Sequence, residues 1–124
     1  MALYVDGYVL PVPHARKADY VKLAKKAAKI WIEHGALEVC ECLADDVKPG
    51  RLTSFPQAVK LKDGEAVWFS WIVFKSRRHR DAVNKKVMAD PRLFGTMDPK
   101  DLPLDGRRMF WGGFKPQVVA RAKP

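Results

Sequence analysis

The apolar positions along this chain change period at several points, and each change marks an element. Leu3 to Leu10, "LYVDGYVL", alternates between Leu3, Val5, Gly7 and Val9 on one side and Tyr4, Asp6, Tyr8 and Leu10 on the other. Both sets are mostly apolar or aromatic, as in a strand covered on two faces. Pro11 and Pro13 are expected to end it, because neither can donate to a ladder. Asp6-Gly7 between apolar runs is also a signal for a two-residue hairpin turn, since both residues tolerate positive φ. That turn would leave two strands too short to pair stably, so one continuous strand is the better reading. Gly7 is then expected on the helix-facing side, where a missing side chain lets a helix pack close, and Asp6 on the opposite face.

From about Ala15 to His34 the period becomes helical, with Tyr20, Leu23, Ala24, Ala27, Trp31 and His34 on one stripe and Gly35 as a stop. "ALEVCECLA" reads as a second strand that sets Leu37, Val39, Glu41 and Leu43 on one face and Glu38, Cys40 and Cys42 on the other. Glu41 is in phase with three aliphatic residues; an edge strand would let it reach water. The stretch from Asp45 to Glu65 is loop-like, with one helical turn expected near Phe55 to Val59, and its length suits a flap or a segment packed on a partner. "AVWFSWIVF" is apolar on both faces except for Ser70 and must be a central strand. Ser76 caps a helix through about Ala89 that turns Val83 and Val87 inward, and Asp90-Pro91 ends it. After a second long connection comes the last strand, "RRMFWGGF", in which Gly112 and Gly113 permit close backbone approach.

The order βαββαβ is the split βαβ arrangement of α+β, ferredoxin-like folds. Right-handed crossovers put the first and third strands at the centre of a four-stranded antiparallel sheet with two helices on one face. The bare face, assigned here to Tyr4, Asp6, Tyr8, Trp68, Ser70, Ile72 and Phe74, is too apolar to leave in water. A second copy is its natural cover, giving a homodimeric α/β barrel with room for a ligand between the sheets.

A chain of 124 residues suits a single domain over 1–124, with an ordered core of about 2–115 and a tail, 116–124, that frays or reaches to another subunit. Apolar residues at 48% and charged residues at 30% are globular proportions. No apolar run is long enough to span a bilayer and no basic-then-apolar leader opens the chain, so a soluble cytoplasmic protein is expected. The formal charge of +9 favours anionic partners, yet the lysines at 17, 22, 25, 26 and 29 also fit an ordinary solvated helix face. Cys40 and Cys42 at i and i+2 point the same way from a strand, poorly placed for a disulfide, and no further ligands complete a zinc site. Reduced, partly buried thiols follow.

Four stretches together carry a family resemblance: "YVDGYVLPVP", "EHGALEVCECLADDVKPG", "FSWIVFKSRRHRDAVNKKVMADPR" and "LPLDGRRMFWGGF". They make the chain similar to the bacterial YbaA-like family, which has no assigned biochemical role. The resemblance spans nearly the whole chain and implies the dimeric barrel fold and a cytoplasmic homodimer, without a substrate, cofactor or catalytic residue. This chain departs from the family pattern at Cys42, where a tryptophan is expected, and at Ala44, where a smaller residue is.

The residues expected to line a pocket between the sheets are Tyr4, Asp6, Tyr8, Glu41, Trp68, Ser70 and Arg108. Asp6 is either a desolvated proton acceptor or the partner of Arg107 or Arg108 in a structural ion pair. His14, His34 and His79 fall on helices or at their ends and suit haem poorly, and Ser70 has no nucleophile elbow around it. Asp45, Asp46 and Asp105 could gather a hard cation, but adjacent acids after a strand more commonly form turns. No cofactor and no metal are expected. The alternative to a small-molecule pocket is RNA, since a basic four-stranded sheet with aromatic strands can stack bases. "VWFSWIVF", however, lacks the basic-glycine-aromatic signature of that module.

Overall fold

The computed structural model describes residues 3–94 and 98–124. Four strands, β1 (Tyr4–Pro13), β2 (Glu38–Leu43), β3 (Glu65–Phe74) and β4 (Phe110–Phe114), alternate with two long helices, α1 (Lys17–Glu33) and α3 (Arg77–Met88). Two single-turn helices, α2 (Phe55–Ala58) and α4 (Pro91–Phe94), lie in the connections. The sheet is antiparallel with order β2-β3-β1-β4, so the α+β, βαββαβ expectation and the two central strands hold. Ser76 caps α3 as expected, accepting from His79 N–H at 3.0 Å. Gly35 leaves α1 at φ 118°, a backbone state that disfavours any other residue.

The first strand is longer than expected. It continues through Pro11 and Pro13, which pair in register with Val67 and Glu65 of β3. On its other side β1 meets β4 only from Val5 to Val9, so beyond Val9 that side has no ladder to interrupt. Proline is tolerated in such a half-edge.

The larger correction concerns phase. Tyr4, Asp6, Tyr8 and Leu10 were expected to face away from the helices, and they face toward them. Tyr4 packs with Ile72 and Phe74 against Ile30 of α1 and Val83 and Val87 of α3, while Leu10, Val12 and Trp68 pack against Tyr20 of α1. Gly7 therefore lies on the open face with Val5 and Val9, opposite Trp71 on one side and Gly112 on the other. The grouping of Tyr4, Asp6 and Tyr8 with Trp68, Ser70, Ile72 and Phe74 was right, and its side was inverted. Strand alternation defines two sets of residues and leaves open which set the helices cover.

One end of the open face is covered by the β2-β3 connection, where Val59 and Leu61 pack on Val9 and Val67. Arg108 holds that connection in place. Its guanidinium donates to both carboxylate oxygens of Glu65 at 2.7 and 2.6 Å, to Asp105 at 3.0 Å and to the Lys60 carbonyl at 3.1 Å.

Gly113 pairs with Asp6 across β1 and β4, and a Cβ there would collide with the Tyr4 hydroxyl and the Arg80 guanidinium. Gly106 has open space around the same position. Gly113→Ala is expected to lower unfolding free energy by about 1–3 kcal/mol, as overpacking does, with Gly106→Ala within about 0.5 kcal/mol of the parent. Urea denaturation of both variants measures this, and equal midpoints would show that the close approach is not required.

Candidate functional site

Two features of this fold can carry chemistry: a polar cluster between sheet and helices, and a groove on the open face. The cluster begins at Asp6, whose side chain is fully buried. Asn84 of α3 donates to Asp6 Oδ2 at 3.2 Å, and Arg80 Nε lies 3.6 Å from Asp6 Oδ1. Neither that Oδ1 nor that Nε has a hydrogen-bond partner among the described residues. Arg80 also donates to the Tyr4 hydroxyl at 3.0 Å and lies 5.0 Å from the Tyr4 ring centroid. Trp31 of α1 closes the chain by donating to Asn84 Oδ1 at 3.0 Å. Burial pushes the Asp6 carboxyl above its ordinary range, with Asn84 and then Arg80 pulling it back.

The partner of Asp6 is thus Arg80, not Arg107 or Arg108. Arg108 serves Glu65 and Asp105 instead, and stands apart from the other six pocket candidates. Glu41, Ser70, Tyr8 and Trp111 form one row across the sheet on the helix side. Glu41 does not turn to water as an edge residue would: Tyr20 of α1 donates to its Oε1 at 2.7 Å, and burial raises its pKa against that hydrogen bond. The Tyr8 hydroxyl is held protonated first by burial and then by the nearby Asp6 and Glu41 charges. Trp68 tilts against Tyr20, with ring centroids 4.7 Å apart. These candidates were expected to face a partner subunit across an intersheet space; they lie under the helices of their own chain.

Sequence reasoning missed Arg80, Asn84 and Tyr20. A signal existed, because Arg80, Val83, Asn84 and Val87 fall at i, i+3, i+4 and i+7. Two polar residues in phase with two buried valines announce a buried polar partner. Of the histidines, His34 meets Asp90 at 2.8 Å and His79 accepts from Lys75 N–H at 2.9 Å, while His14 is exposed. Cys40 and Cys42 are free thiols with sulfurs 3.7 Å apart. Asp105 is engaged by Arg108 and Arg107 N–H, and Asp45 and Asp46 are exposed. Among the described residues no three acids, histidines or cysteines are grouped to hold a metal.

The groove lies on the other side of β1. It is an open concavity of about 950 Å³, walled by Val5, Val9, Phe69, Trp71, Phe110 and Phe114. Gly7 and Gly112 face each other at its floor, and the Phe114 ring lies 4.0 Å and 3.6 Å from where their side chains would begin. Trp71 is fixed in the wall by donating its indole N–H to Glu38 at 2.6 Å. Phe69, Phe110 and Phe114 are 41%, 46% and 65% exposed, an unusual aromatic surface for a folded chain.

A family model described as "Protein of unknown function (DUF1428)" matches residues 3–106. The chain belongs to this family. It is 47% identical over 114 residues to "Uncharacterized protein YbaA" of Escherichia coli strain K12, covering 90% of this chain and 94% of that protein, and equally to the Shigella flexneri protein of that name. The YbaA-like resemblance is therefore correct. Among solved structures, SnoaB, a cofactor-independent oxygenase from Streptomyces nogalater, superposes with TM-score 0.60 at 11% identity over 94% of this chain and 95% of its own. A NIPSNAP family protein of unknown function from Agrobacterium tumefaciens follows at TM-score 0.53 and 18% identity, over 98% and 92% of the two chains. At these identities the likeness is one of fold. In this DUF1428 chain the family match takes in Asp6, Glu41, Arg80 and Asn84 but stops short of β4 and the tail.

The Glu41 geometry sets a pH dependence. Its folded pKa lies above the ordinary 4.5, so between those two values the native state binds more protons and stability falls as pH rises. Glu41→Gln keeps an acceptor for Tyr20 and removes that fall. Relative to the parent, this variant is expected to gain stability from pH 4.5 toward neutrality, while Tyr20→Phe loses about 1–3 kcal/mol by leaving a buried carboxylate without its donor. Urea midpoints of both variants across that range decide it; a pH-independent difference for Glu41→Gln would mean the carboxyl is not desolvated.

Proposed function

We propose that this chain works as a cytoplasmic homodimer whose open sheet faces pack together, and that the groove between them binds a small molecule by its apolar body. The observation that carries this is the aromatic groove itself. Phe69, Trp71, Phe110 and Phe114 surround a glycine floor, a concave and largely apolar site of the size small molecules occupy. A face so rich in aromatic side chains is the composition of an interface centre. The bare sheet face expected from topology supports the same pairing, although its residues are the opposite set from those first assigned. No helix among the described residues is long and apolar enough to cross a membrane, and two free thiols suit a reducing compartment.

The polar cluster around Asp6 is read as the frame of the site. It ties β1 to α3 through the Asn84–Asp6 and Arg80–Tyr4 hydrogen bonds, and such structural networks perturb pKa values without catalysis. The oxygenase activity of SnoaB is not carried over, since the likeness reaches the fold alone.

A charge of +9 beside exposed sheet aromatics favours one competing reading, a monomer that stacks RNA bases on this face. Oligomeric state separates the two. Sedimentation equilibrium is expected to give a dimer that salt does not dissociate, and Phe69→Glu with Phe114→Glu is expected to weaken it by about 2 kcal/mol or more for each aromatic anchor lost. Circular dichroism confirms that the variant still folds. A parent protein that sediments as a monomer and shifts single-stranded RNA in a gel would replace the groove reading with the RNA one.

A further inference from the structure

The lining of the groove is not wholly apolar. Its acidic group, Glu38, stands on β2 at one edge of the sheet, and that carboxylate already accepts the Trp71 indole proton. Its cationic residue, Arg121, comes from the segment that follows β4. Pro116 and Val119 of the same segment also line the groove, so the segment lies along it with Arg121 among the lining residues. Apart from Glu38 and Arg121, the lining is almost wholly apolar and aromatic.

From this arrangement we infer that the groove selects an amphipathic anion: a ring-bearing or acyl body over the Gly7-Gly112 floor, with a carboxylate or sulfonate head at Arg121. The inference rests on the groove reading above and names its ligand class. An apolar body is what Phe69, Trp71 and Phe114 can desolvate. An anionic head is what a guanidinium recognises with paired donors, and the Glu38 carboxylate is already engaged by the Trp71 indole. The net charge of +9 draws such anions from a distance, but that field is diffuse, whereas the contact at Arg121 is local.

Two dyes of similar ring body test the head group on the full chain. 1-Anilinonaphthalene-8-sulfonate carries an anion, N-phenyl-1-naphthylamine carries none, and both brighten in apolar sites. Fluorescence titration is expected to show both binding and competing with each other. Arg121→Gln is expected to weaken the sulfonate about tenfold, the loss of one charge-assisted contact, and to leave the neutral dye within about twofold. Arg77→Gln removes the same charge from the exposed start of α3 and is the control for the diffuse field. Equal weakening by both substitutions, or by neither while the dyes still bind, overturns the anion site and leaves the groove standing. If neither dye binds, or if Gly112→Val on the floor leaves both affinities unchanged, the groove reading fails and takes this inference with it.

Discussion

The burial of Asp6 is the constraint on which the arrangement of this molecule turns. A carboxylate wholly out of water is costly unless donors and opposite charge meet it, and α3 brings a hydrogen bond from Asn84 to Oδ2 and, one turn away, the Arg80 charge 3.6 Å from Oδ1. Bringing Asp6 to Asn84 and Arg80 therefore sets which face of β1 looks at the helices. It also sets the rotation of α3, whose Val83 and Val87 enter the core on the same stripe. The condition reaches across the sheet as well: Arg80 and the Tyr4 hydroxyl need the room that only a residue without a side chain gives at 113. Trp31 then ties α1 to the same network through Asn84. One acidic residue in the first strand thus fixes strand phase, helix docking and the composition of the last strand together.

Topology was legible because it depends on period and order. The switch from alternation to helical spacing, the Ser76 cap, the Gly35 stop and the Asp90-Pro91 break each had a local physical signature, and each is found. Phase was not legible from β1 alone, because both of its faces are apolar and the alternation looks alike from either side. The information lay in α3. Arg80 and Asn84 share a stripe with two valines, which makes sense only if a polar group waits opposite, and Asp6 is the one acid in the two central strands within reach. Pro11 and Pro13 misled for a related reason: their cost depends on whether a ladder exists on the N–H side, and the short partner β4 supplies none there.

The inversion of phase changes what the glycines mean. Gly7 beside a helix would have been a packing device. On the open face, opposite Gly112, it becomes the floor of a groove whose walls are aromatic. Leu3 and Val5, which looked like core, are half-covered on that side, while Val9 is buried where the α2 connection covers one end of it. Arg108, expected to hold Asp6 or a ligand, instead holds that connection down through Glu65 and the Lys60 carbonyl, and so bounds the groove indirectly.

Sheet and groove are joined at Tyr8. Its ring stacks on Trp111 at 5.8 Å on the helix side, beside the charges of Asp6 and Glu41, and both residues are also among those that line the groove. Trp111 is reached by Arg80 as well, 6.0 Å from its ring centroid. A body lying over Gly7 and Gly112 would therefore be separated from the acid cluster by a single layer of strand, at the place where that strand carries no side chains. The cluster that fixes the fold and the surface that can take a ligand are two sides of the same glycine seam. A ligand that shifted Trp111 would act directly on the Tyr8 stack and on the arginine that holds Asp6.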